Sequence, residues 1–203
     1  MDTTESDEPA RPGLRERKKA RTRALIQAEA LRLFREQGYD DTSIEQIAEA
    51  AEVSPSTVFR YFPTKPDLVI YDDLDERMIE AFRDQPPEMG VVEALRRSFR
   101  ESFGAIMAQE LKTQLERERL LRTVPELQSA MLGEFARTIQ EIAGMMSERS
   151  GRPADDDQVL ALAGAVVGVA IAAWYGAGEP EDAARFIERI DLGLGLLETG
   201  FRL

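Results

Sequence analysis

Hydroxyl, phenol and basic side chains are concentrated between residues 42 and 65, where their chemistry favours binding over catalysis. They are Thr42, Ser54, Ser56, Thr57, Arg60, Tyr61 and Lys65. Such groups can donate hydrogen bonds to phosphate oxygens and to the edges of bases. The 203 residues include no His and no Cys, which removes the usual general base, the thiol nucleophile and the commonest zinc ligands. We therefore expect a binding protein with no catalytic residue, metal or cofactor.

Two short helices are predicted around these side chains, because the sequence carries two separate start signals. Thr42 and Glu45 have the spacing of a capping box. Ser54 followed by Pro55 is an N-cap with a proline in the first turn. The first helix has one apolar face, formed by Ile44, Ile47, Ala48 and Ala51. Since only a tight turn separates the two helices, the segment is typical of a helix-turn-helix.

The second helix should turn Val58 and Phe62 towards the core, because they lie four residues apart. Phe59 is also interpreted as a core aromatic residue. Four side chains are left to point elsewhere and are the candidate reading residues: Ser56, Thr57, Arg60 and Tyr61. Thr64 and Asp67 repeat the capping-box spacing, which predicts a further helix start.

A longer helix is predicted ahead of this pair, over residues 14–37, with Gly38 as its stop signal. Its apolar stripe is Ile26, Ala30, Leu33 and Phe34. Residues 11–35 hold nine basic side chains, namely Arg11, Arg15, Arg17, Lys18, Lys19, Arg21, Arg23, Arg32 and Arg35. Only two acidic residues accompany them, so a polyanion is the natural partner.

The charge of the whole chain is −12, which on its own argues against nucleic acid. Its distribution answers that objection. Residues 1–10 contribute −4, residues 11–65 contribute +3 and residues 66–203 contribute −11. Only the basic segment can therefore lie against phosphate, while the rest is repelled from it.

Residues 14–68 resemble the DNA-binding domain of the TetR family of one-component bacterial repressors. The resemblance rests on Phe34, Gly38, Tyr39, Thr42, Ser43, Ile44, Ile47, Ala48, Ala51, Val53, Ser54, Thr57, Val58, Phe59, Tyr61, Phe62 and residues 65–68. It implies phosphate contacts from Thr42, Tyr61 and Lys65. It also implies base or nearby phosphate contacts from Pro55, Ser56, Thr57 and Arg60. The expected DNA-binding set also includes Ser54 and Lys18.

Two positions depart from the family pattern. Glu52 stands where the family usually has Gly, which predicts strain in the turn between the short helices. Phe59 stands where the family often has Tyr, so a phenolic phosphate contact would be missing there.

The remaining residues are predicted to be helical throughout. We expect one helix from residue 65 or 66 to residue 83 and two more between residues 91 and 121. A fourth should open at a capping box in residues 123–126. A fifth should start near Asp156 or Asp157, and the last should span residues 181–199. The prediction is an all-α fold of about nine helices. It divides into a disordered tail (1–12), a helix-turn-helix domain (13–64) and an effector-binding and dimerisation domain (65–203).

Residues 159–178 contain no charged side chain, and this uncharged segment is long enough for a transmembrane helix. We reject that interpretation because Ala and Gly dominate the segment and basic flanks are missing. A helix that is apolar all round is expected to be buried between subunits. The predicted interface of a homodimer comprises Gly164, Gly168 and Ala172 with Ile187, Ile190 and Leu194 of the last helix. A dimer would also carry two helix-turn-helix domains related by a two-fold axis, which suits an operator whose half-sites lie one helical turn apart.

The other helices are expected to enclose an effector pocket. Its candidate residues are Phe99, Phe103, Met107, Leu120, Met131, Phe135 and Trp174. These side chains suit a lipophilic or aromatic ligand, although for any single one of them ordinary core is the favoured explanation. Arg96, Arg100, Arg117 and Arg122 could meet an anionic group or pair with neighbouring glutamates. The Val-Pro-Glu-Leu element at 124–127 is similar to one in actinobacterial family members associated with acyl-chain or redox metabolism.

The resemblance thus implies a cytoplasmic, ligand-responsive repressor that binds a palindromic operator as a dimer and is released by a small lipophilic effector. The lack of Cys and of an N-terminal apolar signal fits the cytoplasm. One alternative is a helical adaptor whose head binds another protein. Another is a helical enzyme with a metal on Asp155, Asp156 and Asp157, but those residues are better explained as charges in the first turn of a helix.

Overall fold

The computed structural model describes residues 13–104, 108–176 and 183–200. Across these ranges the chain forms ten helices and no strand, which confirms the all-α prediction. It separates into two compact units between Leu68 and Val69. The predicted tail at residues 1–12 lies outside the described residues.

Unit 1 contains α1 (Leu14–Gln37), α2 (Ile44–Ala50) and α3 (Pro55–Tyr61) and the first half of α4 (Asp67–Ile70). α2 packs against both α1 and α3. The core of unit 1 holds side chains that were predicted to face inward, including Ile26, Ala30, Phe34, Ile47, Ala48, Ala51, Val58 and Phe62. Burying each of the larger ones contributes about 1.5–3 kcal/mol, so this small unit depends on nearly every apolar position in its pattern.

The start of α2 lies one residue later than predicted, and the Thr42 capping box is wrong. Ser43 is the N-cap: its hydroxyl accepts from the Gln46 amide at 3.2 Å, while the Gln46 side chain accepts from the Ser43 amide at 2.8 Å. Thr42 instead donates its hydroxyl proton to the Gly38 carbonyl at 2.7 Å and accepts from Gln37 at 3.1 Å. The capping box is therefore formed by Ser43 and Gln46, which have the same spacing one residue later, because the Thr42 side chain is buried.

The turn between α2 and α3 carries the strain that the sequence predicted. Glu52 has a φ of +53°, the single positive value among the described residues other than Gly. The turn is closed by hydrogen bonds from the Glu52 amide to the Glu49 carbonyl and from the Val53 amide to the Ala48 carbonyl. A residue with a Cβ in this conformation costs about 1 kcal/mol, which is why Gly suits the position.

Unit 2 contains α5 (Asp73–Arg83), α6 (Val91–Gly104), α7 (Ala108–Thr123), α8 (Pro125–Ser150), α9 (Asp157–Gly176) and α10 (Ala183–Thr199). α6 packs on α5 and α10, and α9 packs on α8 and α10. Two apolar clusters lie between these helices. The first contains Phe82, Leu95, Ile142, Met146, Ala163 and Val167. The second contains Phe99, Ala173, Ile190 and Leu194.

The single helix predicted from residue 65 or 66 to residue 83 is wrong, because α4 ends at Ile70 and α5 begins at Asp73. Arg117 of α7 donates from Nε to the Val69 carbonyl at 2.7 Å and from Nη2 to the Ile70 carbonyl at 2.8 Å. In a continuous helix these carbonyls would accept from amides four residues later. Arg117 also pairs with Asp72 at 2.7 Å, and the residue is only 5% exposed.

Two helix starts in unit 2 also differ from or sharpen the prediction. The capping box at 123–126 is wrong, since Thr123 still belongs to α7 and its hydroxyl donates to the Arg119 carbonyl at 2.8 Å. α9 is capped by Asp156, which accepts from the amides of residues 158 and 159. Arg152 donates a hydrogen bond to the same carboxylate at 2.8 Å, and this bond is the largest cause of the lowered pKa of Asp156. This geometry gives Asp156 a structural role at the helix start.

Candidate nucleic-acid interface

Three hydroxyl groups cluster at the start of α3. The Ser54 hydroxyl accepts from the Thr57 amide at 3.2 Å and lies 2.9 Å from the hydroxyls of both Ser56 and Thr57. Ser54, Pro55 and Ser56 are exposed, and Thr57 is half-buried. The cap that begins the helix therefore also fixes the side chains at its outer end, where they can meet polar groups of a ligand.

Arg60 and Tyr61 follow on the next turn of α3. Arg60 is exposed, and its guanidinium carbon lies 5.3 Å from the centre of the Tyr61 ring. Such a contact at an exposed site is worth about 0.5–1 kcal/mol. It restrains a long cationic side chain beside a half-buried phenol, and both groups can approach a polyanion together.

Lys65 has structural contacts that its sequence position did not predict. Its ammonium group donates to the Tyr39 carbonyl at 2.6 Å and lies 4.3 Å from the centre of the Tyr39 ring. The lysine thus fastens the segment after α3 to the α1–α2 turn. An ammonium group has three donors, so a phosphate contact would have to use those not directed at Tyr39.

Thr42 differs from the exposed residues of α3 in being buried. The residue is 2% exposed, and its hydroxyl proton is directed to Gly38. A phosphate contact from this hydroxyl would require that buried bond to break.

The basic residues of α1 separate into two groups. Lys18 is exposed, as are Arg15, Arg17, Lys19 and Arg21 around it. Further along, Arg32 pairs with Glu29 at 2.8 Å and with Glu36 at 2.6 Å. The first half of the helix is therefore the part that offers positive charge outward.

Phe59 is 48% exposed, so its interpretation as a core residue is wrong. Val58 and Phe62 already occupy the inward face, and both are buried. With 3.6 residues per turn, position 59 is rotated about 100° from position 58. The spacing of Val58 and Phe62 could have placed Phe59 outward, had the aromatic side chain not suggested a core role.

The predicted effector residues do not form one group. Phe99 and Phe103 stack with ring centres 4.3 Å apart and belong to the second apolar cluster of unit 2, whereas Phe135 packs against the first. Leu120 and Met131 are half-buried. Trp174 lies under the Arg122 guanidinium at 5.4 Å, and its carbonyl accepts from that group. Met107 lies outside the described residues.

A shallow groove of about 330 Å³ lies along α6 and α10, and none of the predicted effector residues lines it. It is lined by Arg96, Glu188, Asp191, Leu192, Gly195, Leu196 and Thr199. Arg96 bonds both carboxylate oxygens of Asp191 at 3.2 and 3.0 Å and pairs with Glu198 at 3.3 Å. The Arg96 hydrogen bond is the largest cause that lowers the pKa of Asp191. Acidic partners therefore engage the arginine of this groove.

The predicted dimer residues are divided between surface and core. Gly168 and Ala172 of α9 are exposed, while Gly164 and Ile187 are half-buried. Ile190 and Leu194 are buried within unit 2 itself, which leaves little of either side chain for a partner. α9 holds one window, Asp157–Trp174, that is long and apolar enough to cross a membrane by length and composition alone; only 22% of it is buried.

Comparison with known proteins gives matches over both units. A family model described as "Bacterial regulatory proteins, tetR family" matches residues 26–71, and one described as "MftR C-terminal domain" matches residues 89–202. The HTH-type transcriptional regulator TcmR of Streptomyces glaucescens is 34% identical over 196 residues, covering 86% of this chain and 85% of TcmR.

Solved structures show the same fold. The repressor FadR of Thermus thermophilus, in complex with lauroyl-CoA, has a TM-score of 0.53 at 23% identity, covering 89% of this chain and 95% of FadR. SmeT in complex with triclosan has a TM-score of 0.55 at 18% identity, covering 86% of this chain and 90% of SmeT.

Proposed function

Because the chain belongs to the TetR family of bacterial transcriptional regulators, we propose that it represses transcription by binding a palindromic operator as a homodimer. A regulator of this family binds DNA and is not an enzyme. The proposal therefore concerns which surfaces of the chain contact DNA, a second chain and an effector. In it, the outer face of α3 meets the bases and the exposed cations of α1 meet phosphates. A small lipophilic effector bound by unit 2 releases the protein from its operator.

The observation that carries this proposal is the outer face of α3. Ser54, Pro55, Ser56, Arg60 and Phe59 are all exposed there, while the inner face is filled by buried apolar residues. An outer face rich in hydroxyls and a guanidinium suits the polar edges of base pairs in a major groove. We assign sequence reading to Pro55, Ser56, Thr57 and Arg60, and phosphate contacts to Lys18, Tyr61 and Lys65.

Charge supports the same division. Residues 11–65 carry +3, whereas residues 66–203 carry −11. Like charges repel, so the acidic unit stays away from the duplex while unit 1 binds it. Thr42 is left out of the proposed contacts because its hydroxyl is buried and already donates to Gly38.

For the dimer, the proposal uses the apolar surface of α9. Gly168 and Ala172 lie exposed on it, and a Cβ built on Gly164 or Gly168 would meet no atom within 4 Å. Small side chains allow a second helix to approach closely. This contact would also cover the apolar window that resembles a membrane span, which is why we place the protein in the cytoplasm rather than in a membrane.

For the effector, the proposal rests on the Phe99–Phe103 stack and on the lipophilic ligands of the structural relatives. FadR was solved with lauroyl-CoA and SmeT with triclosan. A ligand that inserts between the aromatic side chains of unit 2 would lower DNA affinity only if it binds the two states of the protein unequally.

Selection of bound fragments from genomic DNA tests the proposed function. We expect recovery of a palindromic site with half-sites about 34–36 Å apart, bound by two chains. Recovery of random fragments with equal affinity, or binding by a single chain, would contradict it. Binding of no DNA at all, together with capture of a protein by unit 1, would favour the adaptor alternative.

A further inference from the structure

We propose that Phe59 is a specificity-determining residue that contacts the C5-methyl group of a thymine in the operator. The inference rests on the proposed function and deepens it. Its starting point is the exposure of a large aromatic ring, 48% of Phe59, on a seven-residue helix whose Val58 and whose C-cap residue Phe62 are almost fully buried.

The exposed ring is fixed in direction by its neighbours. Val58 and Phe62 are buried on the inner face of α3, and the Val58 carbonyl accepts from the Phe62 amide at 2.8 Å. A helix held this way cannot rotate to bury Phe59. The ring therefore remains outward together with Ser56, three residues earlier, and Pro55, four residues earlier.

The surroundings of the ring are those of a nucleic-acid surface rather than of an apolar docking groove. Arg60 is exposed beside it, hydroxyls lie one turn before it, and α1 of the same unit presents exposed cations. These charges complement a polyanion. They would oppose the burial of Phe59 against an apolar protein partner, since they would have to be desolvated.

Within a DNA major groove, the apolar group available to such a ring is the thymine C5-methyl. The polar edges of the bases offer hydrogen-bond donors and acceptors, whereas thymine adds a methyl that Phe can contact. Phe59 lacks the hydroxyl that a tyrosine would use on phosphate. Its chemistry therefore favours contact with a base over contact with the backbone.

Replacement of thymine by deoxyuridine tests this contact, because it removes only the methyl group. Each thymine in one half-site of the selected operator is replaced in turn, and binding is measured by fluorescence anisotropy. We expect wild-type protein to lose about fourfold in affinity at one or two positions, the size expected for one buried methyl. Phe59→Ala should bind the parent operator more weakly and ignore deoxyuridine at those positions.

Two further variants separate this role from others. Phe59→Tyr keeps the ring and should keep the penalty for deoxyuridine. Leu25→Ala removes another exposed apolar side chain of unit 1 and should also leave that penalty unchanged. Circular dichroism of Phe59→Ala should match that of wild-type protein, because the side chain contributes little to the core.

Binding that is unaffected by deoxyuridine at every thymine would overturn this inference alone, as would a penalty that persists in Phe59→Ala. Half-sites that contain no thymine would also overturn it. Failure of wild-type protein to bind any duplex would overturn the proposed function as well.

Discussion

Some basic side chains of unit 1 are exposed at its surface, whereas others in unit 2 are held by internal partners, as Arg32 and Lys65 of unit 1 also are. In unit 1, Lys18 and Arg60 are exposed at the surface. In unit 2, Arg96 and Arg117 are bound by carboxylates and carbonyls of the same unit. The positive charge of Lys18 and Arg60 is thus available for a partner, whereas that of Arg96 and Arg117 stabilises unit 2 itself. Residue type alone does not distinguish these roles; the surrounding contacts do.

The largest effect that would sharpen this comparison is loss of stability on removing Arg117. Arg117→Met takes away a buried guanidinium and leaves Asp72 and two carbonyls without that partner, so unfolding free energy should fall by about 3 kcal/mol. Urea denaturation measures it. Arg97→Met removes a surface pair with Glu101 and should cost less than about 0.5 kcal/mol. Equal losses in both variants would break the distinction.

On the DNA side, the strongest expected effect is altered sequence preference after Thr57→Ala. Affinity for the preferred base should fall by about 1–3 kcal/mol at one position of each half-site. Competition between operators that differ at single base pairs reports this change. Thr138→Ala is the control, because it removes a hydroxyl that donates to a carbonyl within α8. A uniform loss across all operators would reassign Thr57 to phosphate contact.

Glu52 offers a smaller test of the turn between α2 and α3. Glu52→Gly should raise unfolding free energy by roughly 0.5–1 kcal/mol, because glycine adopts the positive φ without strain. Thermal denaturation measures the gain as a higher Tm. The same change at Glu49, an exposed position inside α2, should destabilise the protein by about 1 kcal/mol. A loss at both positions would show that the strain is not significant.

An effect of similar size, which depends on pH, is expected at the Arg96–Asp191 pair. The pKa of Asp191 is lowered in the folded state, chiefly by the hydrogen bond from Arg96. Its stabilisation is therefore present above the unfolded pKa of about 3.9 and is lost as pH falls through the folded value. Asp191→Asn should cost roughly 0.5–1 kcal/mol at pH 7 and almost nothing once the pH is below the lowered pKa of Asp191 in the folded state. A difference that does not depend on pH would contradict the pairing.

Much of unit 1 could be predicted because its signals are local. The bounds of α1 agree with the prediction, and the Ser54 cap, the first-turn Pro55 and the strained Glu52 all follow from neighbours a few residues away. Thr42 was misread because two overlapping capping boxes compete there. Only the three-dimensional packing, which buries Thr42, decides between them.

Unit 2 was predicted less well because its deciding contacts are distant in sequence. Residues 65–83 have the pattern of one helix, and the break at residues 71–72 coincides with Arg117, which lies more than 40 residues later. Ile190 and Leu194 looked suitable for a partner chain, but α6 and α9 of the same unit pack against α10. Helical periodicity shows that a side chain is buried and does not show which helix covers it.

The salt dependence of operator binding tests the central claim, that unit 1 meets phosphate and unit 2 does not. Lys18 and Lys19 are changed together to Gln, and Arg97 and Arg100 of unit 2 are changed together as a charge-matched control. The slope of log K against log salt should become shallower by about 1–2 for the first pair, since each lost phosphate contact removes about 0.9. The control should keep the wild-type slope. A change of slope confined to the Arg97 and Arg100 variant would contradict the account.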